Sequence, residues 1–182
     1  MKILILFAAV LIILSACRRT GSDATPTGQA NPEWPAMKKM VREKFPDVDQ
    51  VSTAELAGLL SKPEAAKPLL LDARSAKEYA VSHLPNALLA ENESQALEAL
   101  KGHSMDHPVV IYCSIGYRSS QLAQKLKKSG YSNVKNLEGS IFEWANDGRE
   151  LYRDQVKSTY VHPFDEKWGR LLESKYWSFD PR

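Results

Sequence analysis

Val109-Val110-Ile111-Tyr112-Cys113-Ser114-Ile115-Gly116-Tyr117-Arg118-Ser119-Ser120 is the stretch whose reading decides the fold. A β-branched apolar run ends in a cysteine. A loop with a glycine and an arginine follows, and two serines open the amphipathic run 121–129, which Gly130 closes. This pattern predicts a buried strand, a loop and a helix. In open parallel α/β sheets that junction is where ligands bind. Backbone N–H groups at the helix N-terminus favour an anion there. A thiol so placed, with Arg118 beside it, is expected to ionise more readily than a free cysteine, and the thiolate is the nucleophile. Gly116 lets the backbone turn tightly. The alternative at this level is a buried structural cysteine at a strand end.

On either side, the chain alternates strand and helix signals. Residues 35–45 read as a short helix with Pro35 in its first turn, ended by Pro46. Val51 is expected to start a short strand. Ser52 and Glu55 form a capping box ahead of Leu56, Leu59 and Leu60. Leu69-Leu70-Leu71 reads as a buried strand ending at Asp72, and Ser75 with Glu78 as a second capping box. Residues 87–89 and 134–137 read as further strands, and 94–100 and 140–146 as helices. Alternation of this kind predicts an α/β fold whose parallel sheet is covered on both faces.

The motifs now fall in order: Asp72-Ala73-Arg74 with Glu78-Tyr79 and His83-Leu84-Pro85-Asn86-Ala87, then Cys113-x-x-Gly116-x-Arg118-Ser119, then Gly139 with Phe142 and Trp144. Over roughly residues 50 to 152 the chain closely resembles the single-domain rhodanese family. That resemblance implies a rhodanese-like α/β fold, with a central parallel sheet of about five short strands and helices on both faces. It also implies a sulfurtransferase in which Cys113 carries a persulfide. The loop residues Ser114, Ile115, Gly116, Tyr117, Arg118 and Ser119 would cradle the substrate, with Asp72 and Arg74 as supporting residues. Asp72 and Arg74 follow a strand end, where either could face the loop. A structural ion pair is the favoured reading, for example Arg74 with Glu78 one helical turn on. His83 is implied to fix a turn rather than act as a general base. No cofactor is implied, and four scattered histidines and one free thiol show no metal-ligand spacing.

The N-terminus carries a separate message. Met1-Lys2 precedes an apolar run over residues 3–14, too short to span a bilayer comfortably. Leu14-Ser15-Ala16-Cys17 resembles a bacterial lipoprotein signal, which implies removal of residues 1–16 and acylation of Cys17. The expected location is the bacterial cell envelope, lipid-anchored and facing the periplasm. Arg18-Arg19 in place of an aspartate favours the outer membrane. Residues 17–33 read as a flexible tether. The expected domain runs over 34–152, including its N-terminal helix. Residues 153–182 form an aromatic-rich extension expected to pack on it, with an exposed partner-binding patch as the alternative.

Charge and cysteine usage narrow the functions. The chain has 182 residues and a formal net charge of +2, with both signs mixed along it. That is an ordinary solvated surface with no nucleic-acid signature, and a monomer is expected. With Cys17 acylated, Cys113 would be a lone thiol in an oxidising compartment, kept for reactivity rather than for a disulfide. The expected partners are a small sulfur donor such as thiosulfate and a thiol or cyanide acceptor. Two rivals are weighed against this reading. Dual-specificity phosphatases share the fold, but their loop is one residue longer than the four between Cys113 and Arg118. A non-catalytic module binding sulfide or an envelope partner would often lack the cysteine.

Overall fold

The protein is described by a computed structural model covering residues 31–63 and 67–180. The expected signal sequence, Cys17 and most of the expected tether lie outside the described residues. No helix among the described residues is long and apolar enough to cross a membrane.

Five parallel strands form the sheet: β1 (Asp49–Val51), β2 (Leu69–Asp72), β3 (Leu88–Leu89), β4 (Val109–Tyr112) and β5 (Val134–Leu137), in the order β1-β5-β4-β2-β3. Six helices belong to this layer system: α1 (Trp34–Lys44), α2 (Thr53–Leu60), α3 (Ala76–Val81), α4 (Glu93–Ala99), α5 (Tyr117–Lys128) and α6 (Ser140–Asn146). This is the expected rhodanese-like α/β architecture.

Strand alternation divides the core. Val110 and Tyr112 of β4 point into one apolar cluster with Leu56, Leu70, Leu137, Ile141 and Phe142. Val109, Ile111 and then Cys113 point into the other, with Leu71, Leu122 and Leu126. Both faces of β4 are covered, so all four of its residues are buried and its sequence is continuously apolar.

Several boundaries differ from the sequence reading. Val51 ends β1 instead of starting it, because Ser52 already caps α2: its hydroxyl accepts from the Glu55 N–H and the Glu55 carboxylate accepts from the Ser52 N–H. Helix α4 begins one residue early, capped by Asn92. Helix α5 begins at Tyr117, so the loop after Cys113 is short and Tyr117, Arg118 and Ser119 are helical. The two serines do not cap it. The Ser120 hydroxyl bonds back to the Gly116 carbonyl at 2.7 Å and the Ser119 hydroxyl donates to Asn136 at 2.6 Å. Gly116 occupies the cap position at φ 106°. A side chain there would be strained and would press Asn136 Nδ2 at 3.1 Å.

Beyond residue 147 the chain adds an antiparallel hairpin, β6 (Leu151–Arg153) with β7 (Val156–Ser158), a short helix α7 (Glu166–Gly169), and a 3₁₀ turn at Ser174–Tyr176. The expected division at 152/153 falls inside the hairpin. Such short strands, three residues each, give no alternation to read. Tyr152 of the hairpin exchanges backbone hydrogen bonds with His83. Val161, Leu171 and Leu172 are buried in the core cluster of β4, and Trp168, Tyr176 and Trp177 pack against it. Phe164 and Phe179 remain exposed.

Candidate active site

Cys113 follows β4 directly, at the carboxyl end of the central strand, and the residue is 1% exposed. The turn that holds it is fastened from α6. The Cys113 N–H donates to the Ser140 hydroxyl at 3.1 Å, and Ser140 in turn donates to the Leu137 carbonyl at 3.0 Å. The Cys113 and Ser114 carbonyls accept from Ile141 and Phe142 N–H groups.

Gly116 N–H points at Sγ from 3.2 Å. The Ser119 hydroxyl has one proton, already given to Asn136, so Ser119 reaches Sγ through its backbone N–H. Burial pushes the Cys113 thiol pKa up. The positive charge of Arg118 and the N–H donors outweigh it, leaving the thiol below its ordinary value.

Arg118 is not a free cation. Its Nη1 and Nη2 form a bidentate pair with the Glu78 carboxylate at 2.8 and 2.7 Å, and Nη2 also donates to Ser114 Oγ at 2.9 Å. Ser114 Oγ donates to Glu78 at 3.1 Å. Glu78 is buried, which opposes its ionisation, but the hydrogen bonds and charge of Arg118 hold its carboxyl at about 2. The same carboxylate caps α3 by accepting from the Ser75 N–H.

The expected pairing of Arg74 with Glu78 is therefore corrected. Arg74 pairs with Asp72, Nε at 2.9 Å from Oδ1 and Nη2 at 2.6 Å from Oδ2, with both side chains fully buried. Arg74 Nη2 also donates to the Ser82 carbonyl, and its guanidinium lies 5.8 Å from the Tyr112 ring centroid. Glu78 sits a turn into α3, where its carboxylate turns toward α5. Asp72, two residues before Arg74, is already inside the core at the end of β2. His83 stacks on Tyr79 at 4.2 Å and places Nδ1 2.9 Å from the Leu84 carbonyl, which makes it part of the scaffold.

Sγ faces a pocket of about 260 Å³. Ser114, Ile115, Tyr117 and Arg118 line it together with Met40 of α1 and with Phe164 and Trp168 from the C-terminal segment. Gly116 and Ser119 touch the sulfur through backbone N–H groups. Sequence reasoning missed Glu78 as a site residue, although its capping box was visible. It also missed Ser140 and the three outlying wall residues, for which no local pattern gives a signal.

Residues 52–147 match the family model for the rhodanese-like domain. Curated relatives from Escherichia coli named tRNA uridine(34) hydroxylase are 32% identical over 135 residues, which is 70% of this chain. The chain spans only 37% of the length of those relatives. Among solved structures, a thiosulfate sulfurtransferase from Pseudomonas aeruginosa superposes with a TM-score of 0.56 at 20% identity, over 75% of this chain and 26% of that one. A protein of unknown function from Rhodopseudomonas palustris, described as a possible tyrosine phosphatase, gives 0.52 at 21% identity, over 64% and 93%. At such identities these structures speak for the fold alone. The order of the motifs, the five-stranded parallel sheet and the match over residues 52–147 establish that the chain belongs to the rhodanese-like domain family.

Proposed function

We propose that the protein is a sulfurtransferase that moves a sulfane sulfur, from a donor such as thiosulfate to a thiol or cyanide acceptor, through a persulfide on Cys113. The observation that carries this reading is the thiol itself: Sγ is held by the Gly116 and Ser119 N–H groups at the start of α5, with its ionisation favoured, and it faces a small pocket. The thiolate attacks the outer sulfur of the donor, and the sulfur–sulfur bond of the donor breaks as the new one forms on Cys113. The remainder of the donor, sulfite in the case of thiosulfate, leaves with the bonding pair. The persulfide then gives its terminal sulfur to the acceptor and the thiolate returns. The same N–H groups would stabilise the charge on the terminal sulfur.

Phosphate chemistry is less well supported, because Arg118 is engaged by Glu78 and Ser114 rather than directed at a ligand above Sγ. The tRNA-directed activity in the relatives' name belongs to proteins of which this chain spans little more than a third.

The lipoprotein-type signal leads us to place the activity at the periplasmic side of the cell envelope, anchored through acylated Cys17, with the outer membrane favoured. Intact mass of the protein after treatment with thiosulfate tests the mechanism. A gain of one sulfur atom on the parent, removed by cyanide and absent in Cys113→Ser, is expected. Transfer that persists in Cys113→Ser would overturn it. In a separate partitioning experiment on exported protein, Cys17→Ala should lose its partitioning into detergent, and a variant that stays as membrane-bound as the parent with its signal removed would refute the anchor.

A further inference from the structure

The pocket in front of Cys113 is lined mostly by apolar and aromatic side chains. Its walls are Met40, Ile115, Tyr117, Phe164 and Trp168, and the cation among its lining residues, Arg118, is bidentately matched by the ionised Glu78. Arg74, the next arginine inward, is matched by Asp72. A dianion brought to the thiolate would therefore meet no unmatched guanidinium there. Lys167, which lies over the Trp168 ring at 5.1 Å, is exposed to solvent.

Met40, Phe164 and Trp168 lie outside the family-matched residues 52–147, so this chain's own flanking segments supply much of the wall. Phe164 is held in an uncommon way. Its φ is 68°, a region costly for a bulky side chain, and its N–H donates to Nδ1 of the buried His162 at 3.1 Å. The result is a half-exposed ring 4.9 Å from the Arg118 guanidinium, at the mouth of the pocket. The pocket volume, about 260 Å³, exceeds the roughly 150 Å³ that suffices for a benzene ring.

We propose that this pocket selects sulfur donors carrying an apolar or aromatic organic group, of the thiosulfonate type, over inorganic thiosulfate, and that Phe164 and Trp168 are its specificity-determining residues. The inference rests on the sulfurtransferase reading above. In the loading step the Cys113 thiolate attacks the terminal sulfur of R–SO₂–S⁻. The S–S bond forms on Cys113 as the bond to the sulfonyl sulfur breaks. The bonding pair leaves with R–SO₂⁻, a sulfinate, so charge and electrons balance with no further reagent. The organic group would lie against Phe164 and Trp168.

The test compares kcat/KM for benzenethiosulfonate, methanethiosulfonate and thiosulfate with cyanide as acceptor, with persulfide loading read by intact mass. The benzene-to-methane ratio is normalised to the same ratio for reaction with free cysteine, which removes the intrinsic reactivity of the two donors. The parent should give a normalised ratio of about ten or more, the scale on which apolar pockets discriminate. Phe164→Ala and Trp168→Ala should each bring it down severalfold, and Trp168→Phe should restore part of it. Phe164 is half exposed, so its truncation keeps the test open should a Trp168 variant fold poorly. A parent ratio near one, a ratio that neither alanine variant lowers, or thiosulfate as the fastest donor would overturn the inference while leaving sulfur transfer standing. No persulfide on Cys113 with any of the three donors would overturn the sulfurtransferase reading, and this inference with it.

Discussion

Two arginine–carboxylate pairs flank Cys113, and they are differently placed. Arg74–Asp72 is closed off: both side chains are fully buried, the partners are two residues apart, and the guanidinium is further held by the Ser82 carbonyl and the Tyr112 ring. Arg118–Glu78 joins two helices across 40 residues and leaves the arginine side chain 34% exposed at the pocket. The first pair sets the shape of the strand ends under the loop. The second sets the charge felt at Sγ. Proximity to the cysteine in the motif does not distinguish them. Burial and connectivity do.

The sharpest way to break this contrast is Asp72→Ala. It would strand the Arg74 guanidinium in the core, where Nη1 is already buried without a hydrogen-bond partner. The expected loss is about 3–5 kcal/mol in denaturant unfolding. The double replacement Asp72→Leu with Arg74→Met should recover much of that, because a matched apolar pair leaves no buried charge. A small effect of Asp72→Ala alone would refute a structural role.

Glu78 predicts a pH dependence. Its carboxyl lies at about 2 in the folded protein against an ordinary value of 4.5. The folded value is depressed, so the stability it contributes is fully present above about pH 4.5 and is lost as pH falls through about 2. That difference corresponds to roughly 3 kcal/mol. Glu78→Gln should flatten the stability curve between about pH 5 and 2, measured by urea unfolding at each pH. A curve as steep as the parent's would assign the acid sensitivity elsewhere.

Arg118→Ala, which leaves the buried Glu78 carboxylate unmatched, should have a clear effect on chemistry. Removing the charge takes away the leading influence that favours the thiolate. The pH midpoint of iodoacetamide alkylation at Cys113 should move upward. Glu78→Gln, which leaves Arg118 unmatched, should move it downward. Identical midpoints in parent and both variants would remove the electrostatic account of activation, leaving only the N–H donors.

Much of the molecule was legible in chain order. The apolar run 109–112 ending at Cys113, the capping boxes at Ser52 and Ser75, and the strand at 134–137 are local patterns, and local patterns follow from backbone sterics and hydrogen bonding within a few residues. The start of α5 was read late because Ser119 and Ser120 look like caps, and only the packed structure shows their hydroxyls spent on Asn136 and Gly116.

What chain order left open was the choice among partners. Glu78 had two arginines within reach of a sequence argument, one four residues away and one forty. The fold turned it to the distant one, because α3 and α5 meet at the carboxyl end of the sheet. Met40, Phe164 and Trp168 carry no mark of a site in sequence. They line the pocket only because α1 and the C-terminal segment pack against the same loop. Chemical identity at Cys113 is a property of nearby residues in sequence. The surroundings that tune and select for it come from segments brought together across the whole chain by burial of their apolar faces, and tertiary packing alone determines those.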